Sequence, residues 1–370
     1  MFFDYKNNNN KKGKEEKMIE QNNFIVLGGT GNHELDKRIL SMVNELGRTN
    51  LSFLHLNMDN FPDGEDDFRI TQHEKIKNKH VILFQSLHGQ TLENLERQFF
   101  TLAWAAKYQY GAKSIIAVLP FMRYRRQDQP QKTEEIHRNL WFVHNMKANG
   151  VDKLILCDIH SSITLENCKK SGIKAYNVDS SPAFANILKP KVDLSEKENI
   201  PFFIYSPDKR SIERSAALAK ELNVPVIVSL KNRFHDCTVS VEENPEKIKE
   251  MQAVLDNLQK KFGVPISLAD DNLNGANICI REDELSTGST AVMTGLALKQ
   301  AGAGEIIFCA THPICTEGWK RKIVDNNPFN AILLGDTIPR TYFKTTGGQI
   351  TKVTMAQVIA NQLFEVMYSI

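Results

Sequence analysis

Short, uninterrupted apolar runs alternate with longer segments of helical spacing, and this alternation limits most strongly what the chain can fold into. A strand that is apolar throughout is buried on both faces, which is typical of parallel sheets covered by helices. The segment from Leu92 to Tyr110 is one of the helical stretches between such runs. The pattern therefore predicts an α/β fold with mainly parallel sheets. The runs of the first half are Phe24–Leu27, His80–Phe84, Ser114–Leu119 and Lys153–Cys157.

The same alternation repeats in the second half of the chain, which predicts two domains of related architecture. A length of 370 residues agrees with two domains. The second set of runs is Phe202–Asp208, Pro225–Leu230, Asn277–Ile280, Glu305–His312 and Ala331–Asp336. We expect a disordered Asn/Lys-rich tail, a first domain that also includes a C-terminal helix, and a second domain with an inserted amphipathic helix. The respective boundaries are 1–23, 24–172 with 353–370, and 173–350 with the inserted helix at 242–262.

Charge and composition exclude several classes of protein. Lys and Arg number 46 against 44 Asp and Glu, a net charge of +2, which argues against non-specific binding of nucleic acid. No apolar run approaches the roughly 18–20 residues that a membrane span needs. The six cysteines form no CxxC pair, so neither a zinc site nor a disulfide framework is indicated. The first residues lack the apolar core of a secretory signal, and we expect a cytoplasmic location.

Polar residues that suit phosphate, sugar or metal follow the predicted strands. In parallel sheets chemistry collects at the carboxyl ends of strands. In the stretch Arg281–Thr290, Glu282 and Asp283 end a strand, and small hydroxyl residues lead into a helix predicted to begin near Ala291. Backbone N–H groups at a helix N-terminus favour a phosphate, and the acids before them suit sugar hydroxyls. An ordinary N-cap loop has the same composition, so both interpretations stay open for this motif alone.

Two other strand ends suggest a metal and a phosphoryl group. His160 and Asp208 each follow a strand, and a loosely filled oxygen-rich site of this kind suits Mg²⁺ shared with phosphates. Lys231 and Arg233 follow a third strand, where their charges would neutralise a transferring phosphoryl group. Taken singly, each of these residues is better explained as a cap or a solvated turn, and the metal interpretation gains only when His160 and Asp208 are considered together.

Other motifs are weaker by themselves. Arg125 and Arg126 have the chemistry to bind a polyphosphate or stack on a base. The turn Phe61–Glu65 contains Pro-Asp-Gly, which is ordinary turn chemistry. The glycines of Gly28–Glu34 lack the third glycine of a dinucleotide fingerprint, and the chain has no P-loop motif.

Taken together and in this order, these motifs resemble those of ribose-phosphate pyrophosphokinase, also called PRPP synthetase. The resemblance covers the chain from Phe24 to Ile370, in the segments already described together with ATHP at Ala310–Pro313 and DTIPR at Asp336–Arg340. The separations are also similar: Arg126 and His160 are 160 − 126 = 34 residues apart, and Asp208 and Lys231 are 231 − 208 = 23 apart.

The resemblance implies two phosphoribosyltransferase-like domains and a homo-oligomer with the ATP site between protomers. The implied reaction transfers the diphosphoryl group of ATP to the anomeric hydroxyl of ribose 5-phosphate, with Mg²⁺ as cofactor. His160 and Asp208 would hold Mg²⁺, and Lys231 and Arg233 would lie on a catalytic loop over the β-phosphate. The residues implied for ATP are Phe61, Asp63, Glu65, Arg126, Gln127 and Asp128. Those implied for ribose 5-phosphate are Glu282, Asp283, Ser286, Thr287, Gly288, Ser289 and Thr290.

The chain also departs from the family pattern. Lys209 and Arg210, followed by Ser211, stand where the family has a glycine pair, and Ser286 replaces an acid. Glu282 stands where an aspartate is usual. These departures keep a second hypothesis open, a non-catalytic regulatory subunit associated with an active synthetase. A third hypothesis, a transferase that consumes PRPP, accounts for Ser286–Thr290 but not for the motifs of the first half.

Overall fold

The structure is a computed structural model that describes residues 20–89, 92–130, 132–229, 245–268, 272–325, 327–341 and 349–370. Its strands form two large parallel sheets and one small antiparallel hairpin. The first-half strands are β1 (Phe24–Gly28), β2 (Leu56–Asn60), β3 (Asp66–Ile70), β4 (His80–Phe84), β5 (Ser114–Leu119), β6 (Lys153–Cys157) and β7 (Lys174–Val178). The others are β8 (Phe202–Ser206), β9 (Val226–Val228), β10 (Ile266–Leu268), β11 (Asn277–Leu285), β12 (Ile306–Pro313), β13 (Ala331–Gly335) and β14 (Ile350–Val353).

The strand order places the expected runs inside the two sheets. Among the described residues, the first sheet runs β1-β4-β5-β6-β7 and the second runs β10-β9-β8-β11-β12-β13-β14, with every neighbouring pair parallel. The interior strand β4 is buried at all five positions, as expected for a strand covered on both faces. The predicted α/β class with mainly parallel sheets is confirmed. Strands β2 and β3 pair as an antiparallel hairpin outside these sheets.

Helices connect the strands and cover the sheets. They are α1 (His33–Gly47), α2 (Leu92–Trp104), α3 (Arg138–Ala148), α4 (Ile163–Lys170), α5 (Ser181–Lys197), α6 (Ile212–Leu222), α7 (Pro245–Phe262), α8 (Ser289–Gln300), α9 (Trp319–Asp325) and α10 (Ala356–Tyr368). Helix α7 corresponds to the inserted helix expected at 242–262, of which residues 242–244 lie outside the described part. Helix α8 begins at Ser289 rather than near Ala291, because Gly288 adopts a φ of +82° and serves as the N-cap.

The C-terminal helix returns to the first half of the chain. Helix α10 packs against α1, β6 and β7. It begins at Ala356 rather than at residue 353, because Val353 is still the last residue of β14. The Thr354 hydroxyl accepts a hydrogen bond from the Ala356 N–H at 3.3 Å, and the Asp336 carboxylate accepts one from the Met355 N–H at 2.8 Å. These two bonds end the strand and start the helix.

The two halves share part of their hydrophobic core. One cluster of buried side chains includes Val26 of β1, Leu188 of α5, Ile204 of β8 and Leu363 of α10. Strand β7 pairs with β6 in the first sheet, although the sequence division placed residues from 173 onward in the second half. In the expected N-terminal tail, Gln21–Asn23 form one 3₁₀ turn, whereas residues 1–19 lie outside the described part. No helix in the described ranges is long and apolar enough to cross a membrane.

One buried carboxyl group in α1 has no partner. Asp36 is fully buried, and neither carboxyl oxygen has a hydrogen-bond partner among the described residues. Burial raises the pKa of Asp36 well above its usual range. The folded protein therefore keeps a proton that the unfolded chain releases above about pH 4. Because the folded state binds more protons, stability falls as the pH rises above that value.

Asp36→Asn is expected to raise the free energy of unfolding at pH 7.5 by about 1–3 kcal/mol, because the neutral amide has no such proton to lose. The gain should shrink toward zero near pH 4.5. Urea unfolding at both pH values measures it. Asp256→Asn, at an exposed position on α7, is the control and should show no such pH-dependent gain. A loss of stability in Asp36→Asn at pH 7.5 would show that the ionised carboxylate is stabilised in the folded protein.

Candidate active site

The carboxyl ends of the two sheets meet at a buried ion pair. Arg281 of β11 is fully buried, and its Nη2 donates to the carboxylate of Asp158, which follows β6, at 2.5 Å. The same Nη2 lies 2.6 Å from the Ser180 hydroxyl and 2.9 Å from the Thr311 hydroxyl. The guanidinium also lies over the Phe184 ring, 4.6 Å from its centroid. This pair therefore joins the end of β6 in the first half to the middle of β11 in the second half.

The pair has a clear electrostatic signature. Burial alone would raise the pKa of Asp158, but Arg281 and Arg214 outweigh burial and hold that pKa well below its usual range. Asp158 also has a positive φ of +40°, which is unusual for a residue other than glycine. Strained residues of this kind cluster at functional sites.

Three consecutive acids lie near the end of strand β11, and they are called here the acid end: Glu282, Asp283 and Glu284. Asp283 Oδ2 accepts hydrogen bonds from His160 Nδ1 at 2.8 Å and from Arg125 Nη2 at 3.0 Å. Burial opposes the charge of Asp283, but His160 and Arg214 hold its pKa well below the usual range. The structure thus brings the predicted metal ligand His160 to the predicted sugar ligand Asp283.

Glu282 differs from its neighbour. Burial, followed by the charges of Asp283 and Asp208, raises the pKa of Glu282 to about 8. At neutral pH Glu282 is therefore mostly protonated beside the charged Asp283. A bound cation would favour its ionised form.

The loop from Ser286 to Thr290 turns directly into α8. The Ser289 N–H faces the Thr287 hydroxyl at 3.4 Å, and Gly288 is buried. The first N–H groups of a helix have no partners within it, so they can receive an anion. Lys322 of α9 adds a positive charge, since its Nζ donates to the Ser289 hydroxyl at 2.7 Å. This arrangement suits a phosphate, and the sequence reasoning had not identified Lys322.

Asp208 is placed at the end of β8 but is already engaged. Its Oδ1 accepts hydrogen bonds from the N–H groups of Arg210 and Ser211, each at 2.9 Å. The Ser211 hydroxyl in turn donates to the Asp208 carbonyl at 2.9 Å. The loop that replaces the family's glycines therefore folds onto its own carboxylate at the start of α6.

The residues predicted for ATP fall into two groups. Phe61, Asp63 and Glu65 lie at the exposed tip of the β2–β3 hairpin, where the Phe61 N–H donates to the Glu65 carbonyl at 2.8 Å. In the described part of the chain, no hydrogen bond or ion pair joins these three to the acid end.

The second group follows β5. Arg126 is exposed and forms an ion pair with Glu284, and Gln127 is exposed beside it. Asp128 is buried, where its carboxylate accepts a hydrogen bond from the Ser161 hydroxyl. The carbonyl of Asp128 accepts another from Asn167 at 3.0 Å. In this chain Asp128 thus supports the loop that carries His160.

Lys231 and Arg233 lie outside the described residues. Two cations that the site does contain were missed or interpreted differently. Arg214 of α6 lies 4.0 Å from Asp283 Oδ1, but its segment has only the pattern of an amphipathic helix. Arg125 was expected to face a ligand, yet it contacts the acid end. Neither contact has a local sequence signal, because the partners are distant along the chain.

His160 and Asp208 are the residues predicted to hold Mg²⁺. Within the described ranges no group of three or more His, Cys, Asp or Glu side chains forms a complete metal cage. Mg²⁺ is commonly bound by one or two protein ligands together with water and substrate phosphates. His160 uses Nδ1 for Asp283, as metal-bound histidines do with their second nitrogen, which leaves Nε2 for a metal.

Comparisons with known proteins point to one family. A family model described as the N-terminal domain of ribose phosphate pyrophosphokinase matches residues 24–147. A ribose-phosphate pyrophosphokinase of Ralstonia nicotianae is 25% identical over 338 residues, covering 91% of this chain and 92% of that protein. One from Pyrococcus abyssi is 27% identical over 288 residues, covering 78% and 86%. The resemblance drawn from the motifs is therefore confirmed.

A solved structure supports the fold. Phosphoribosylpyrophosphate synthetase from Mycobacterium smegmatis matches with a TM-score of 0.71 at 18% identity, covering 94% of this chain and 99% of that chain. At this identity the match supports the fold alone.

The buried ion pair gives a stability prediction. Arg281→Met should lower the free energy of unfolding by about 3–5 kcal/mol, because Asp158 is left buried without its partner. Urea unfolding at pH 7.5 measures the effect. The double variant Arg281→Met with Asp158→Asn should recover part of the loss, since no lone charge remains. Equal losses in the single and double variants would contradict the assignment of the cost to the unpaired carboxylate.

Proposed function

We propose that this chain, which resembles ribose-phosphate pyrophosphokinases over most of its length, is an ATP-dependent ribose-phosphate diphosphokinase. It transfers the diphosphoryl group of ATP to the anomeric hydroxyl of ribose 5-phosphate, giving PRPP and AMP. The observation that carries the proposal is the continuity of the acid end with the N-terminus of α8. The carboxylates of the acid end suit sugar hydroxyls, and the N-terminus of α8 suits a phosphate. They lie a few residues apart at the carboxyl end of β11.

In this proposal ribose 5-phosphate extends from the acid end to the N-terminus of α8. Glu282 and Asp283 accept hydrogen bonds from the ribose hydroxyls. Ser286, Thr287, Gly288, Ser289 and Thr290 surround the 5-phosphate. Lys322 adds charge to the same place through its contact with Ser289.

Mg²⁺ would be held by His160 and Asp208 together with phosphate oxygens of ATP. When bound, the ion neutralises charge on the transferring group. Lys231 and Arg233 would supply the remaining positive charge from the segment after β9. The chain offers positioning and charge neutralisation, which are the main requirements of phosphoryl transfer.

ATP would be bound by two surfaces. Arg126, Gln127 and Asp128 lie near the acid end, whereas Phe61, Asp63 and Glu65 lie at an exposed hairpin tip. We propose that the hairpin tip completes the ATP site of a second copy in a homo-oligomer. We also keep the division into two phosphoribosyltransferase-like domains as a proposal, now with β7 in the first domain because it pairs with β6. A cytoplasmic location also stays an expectation.

A second candidate is a non-catalytic subunit associated with an active synthetase. The closed loop after β8 favours it, because Asp208 already occupies the N–H groups of Arg210 and Ser211. Glycines in place of Lys209 and Arg210 would also let the backbone approach a phosphate more closely.

The direct test is product analysis with purified protein, ATP, Mg²⁺ and ribose 5-phosphate, separated by ion-exchange chromatography. Equal amounts of AMP and PRPP support the proposed enzyme. AMP without PRPP would indicate another acceptor and contradict the proposed substrate. Neither product, with ATP still bound in calorimetry, would favour the non-catalytic subunit.

Lys231→Ala should lower kcat by about 100-fold or more, because a charge that stabilises the transition state is lost. The matched control is Lys249→Ala, at an exposed position on α7, which should leave kcat unchanged. Initial rates of AMP formation measure both. Unchanged turnover in Lys231→Ala would remove the catalytic assignment of this segment.

Gly288→Ala should raise KM for ribose 5-phosphate by about tenfold, since backbone strain of 1–3 kcal/mol falls on the phosphate loop. A Cβ at this position would lie 2.7 Å from Ile323 Cγ1, and φ is +82°. Gly263→Ala is the control, because its φ is +73° but no atom lies within 4 Å of its Cβ. Steady-state kinetics should show the KM change in Gly288→Ala alone. The same KM in both variants would contradict the proposal that residues 286–290 bind the substrate.

A further inference from the structure

Arg125 is a buried cation from the first half that contacts the acid end of the second half. Its side chain is 6% exposed. Nη2 donates to Asp283 Oδ2 at 3.0 Å and to the Asp158 carbonyl at 2.7 Å, and Nη1 donates to Glu284 Oε2 at 3.1 Å. The guanidinium carbon lies 5.4 Å from the centroid of the Phe121 ring. One planar group thus fixes two consecutive acids to the end of β6.

This contact determines which oxygen of Asp283 remains open. Oδ2 is occupied by Arg125 and His160. Oδ1 faces Arg214 at 4.0 Å, which is longer than a hydrogen bond. A sugar hydroxyl would therefore be accepted by Oδ1, and Arg125 keeps that oxygen turned toward it.

The role of Glu284 follows from charge. Glu284 is as buried as Arg125, and it balances the guanidinium together with Asp283. Buried ion pairs add little stability over well-packed apolar side chains, so packing alone does not require one here. The ion pair of Arg125 and Glu284 lies beside Asp283, the acid that would bind the sugar. Its position indicates that it orients Asp283.

We propose that Arg125 is a positioning residue for the ribose hydroxyls, held in place by Glu284. The inference rests on the proposed function for its substrate. It concerns the orientation of Asp283 before any transfer occurs, so binding of ribose 5-phosphate alone can test it.

The experiment compares wild type with Arg125→Met, Glu284→Met and the double variant. Each single variant should lose thermal stability, because one charge is left buried, and the double variant should recover it. Calorimetry with ribose 5-phosphate and no ATP should give a Kd about tenfold weaker for the double variant than for wild type, as expected when one charge-assisted hydrogen bond is lost. In turnover, KM for ribose 5-phosphate should rise by a similar factor while KM for ATP stays within about twofold.

A double variant with wild-type stability and wild-type Kd would overturn the inference, since Arg125 would then be structural only. If the double variant does not fold, Arg125→Lys takes its place. A lysine retains the charge but not the fork, so a Kd weakened several-fold supports positioning and an unchanged Kd overturns it.

The wild-type arm separates the two proposals. Wild type that binds ribose 5-phosphate without forming PRPP would end the proposed function, while the Kd comparison still decides the inference. Wild type that does not bind ribose 5-phosphate would overturn both.

Discussion

The buried pair of Arg281 and Asp158 is the contact on which the arrangement of the site depends. It joins the middle of β11 to the residue after β6, and the Ser180 and Thr311 hydroxyls lie within hydrogen-bond distance of the same Nη2. A fully buried guanidinium is tolerated only when it is paired and hydrogen-bonded in this way. Since the acid end follows Arg281 directly, the same pair sets where Glu282, Asp283 and Glu284 stand relative to His160.

The charges around the acid end are balanced unevenly. Arg125 forms ion pairs with Asp283 and Glu284, and Arg126 forms a second ion pair with Glu284. Asp283 therefore keeps its charge despite its burial, whereas the pKa of Glu282 rises to about 8 beside Asp283 and Asp208. Within the acid end, Asp283 is thus the carboxylate that stays charged, and Glu282 is the one whose ionised form burial disfavours.

Much of the fold could be predicted from sequence because apolar runs and helix spacing are local signals. The runs at His80–Phe84 and Ser114–Leu119 are strands with those bounds. The rule that functional residues follow strand ends also selected His160 and Asp283, which are in contact in the structure. It missed Arg214 and misjudged the partners of Arg125, because Arg125 and Asp283 are 158 positions apart and nothing near either residue encodes the pair. Asp128 is a similar case: its motif suggested an ATP ligand, and nothing in the sequence indicated the hydrogen bond that its carboxylate accepts from the Ser161 hydroxyl.

The loop after β8 carries the clearest departure from the family pattern. Lys209 and Arg210 stand where the family has a glycine pair, and Asp208 Oδ1 accepts hydrogen bonds from the N–H groups of Arg210 and Ser211. These two N–H groups precede α6, whose N-cap is Ser211, so Asp208 does not take the first N–H groups of the helix itself. Glycines let a backbone approach a phosphate closely, whereas Lys209 and Arg210 bring positive charge to the same loop. The two candidate functions therefore differ, at this loop, in whether those cations can replace the close backbone approach that glycines allow.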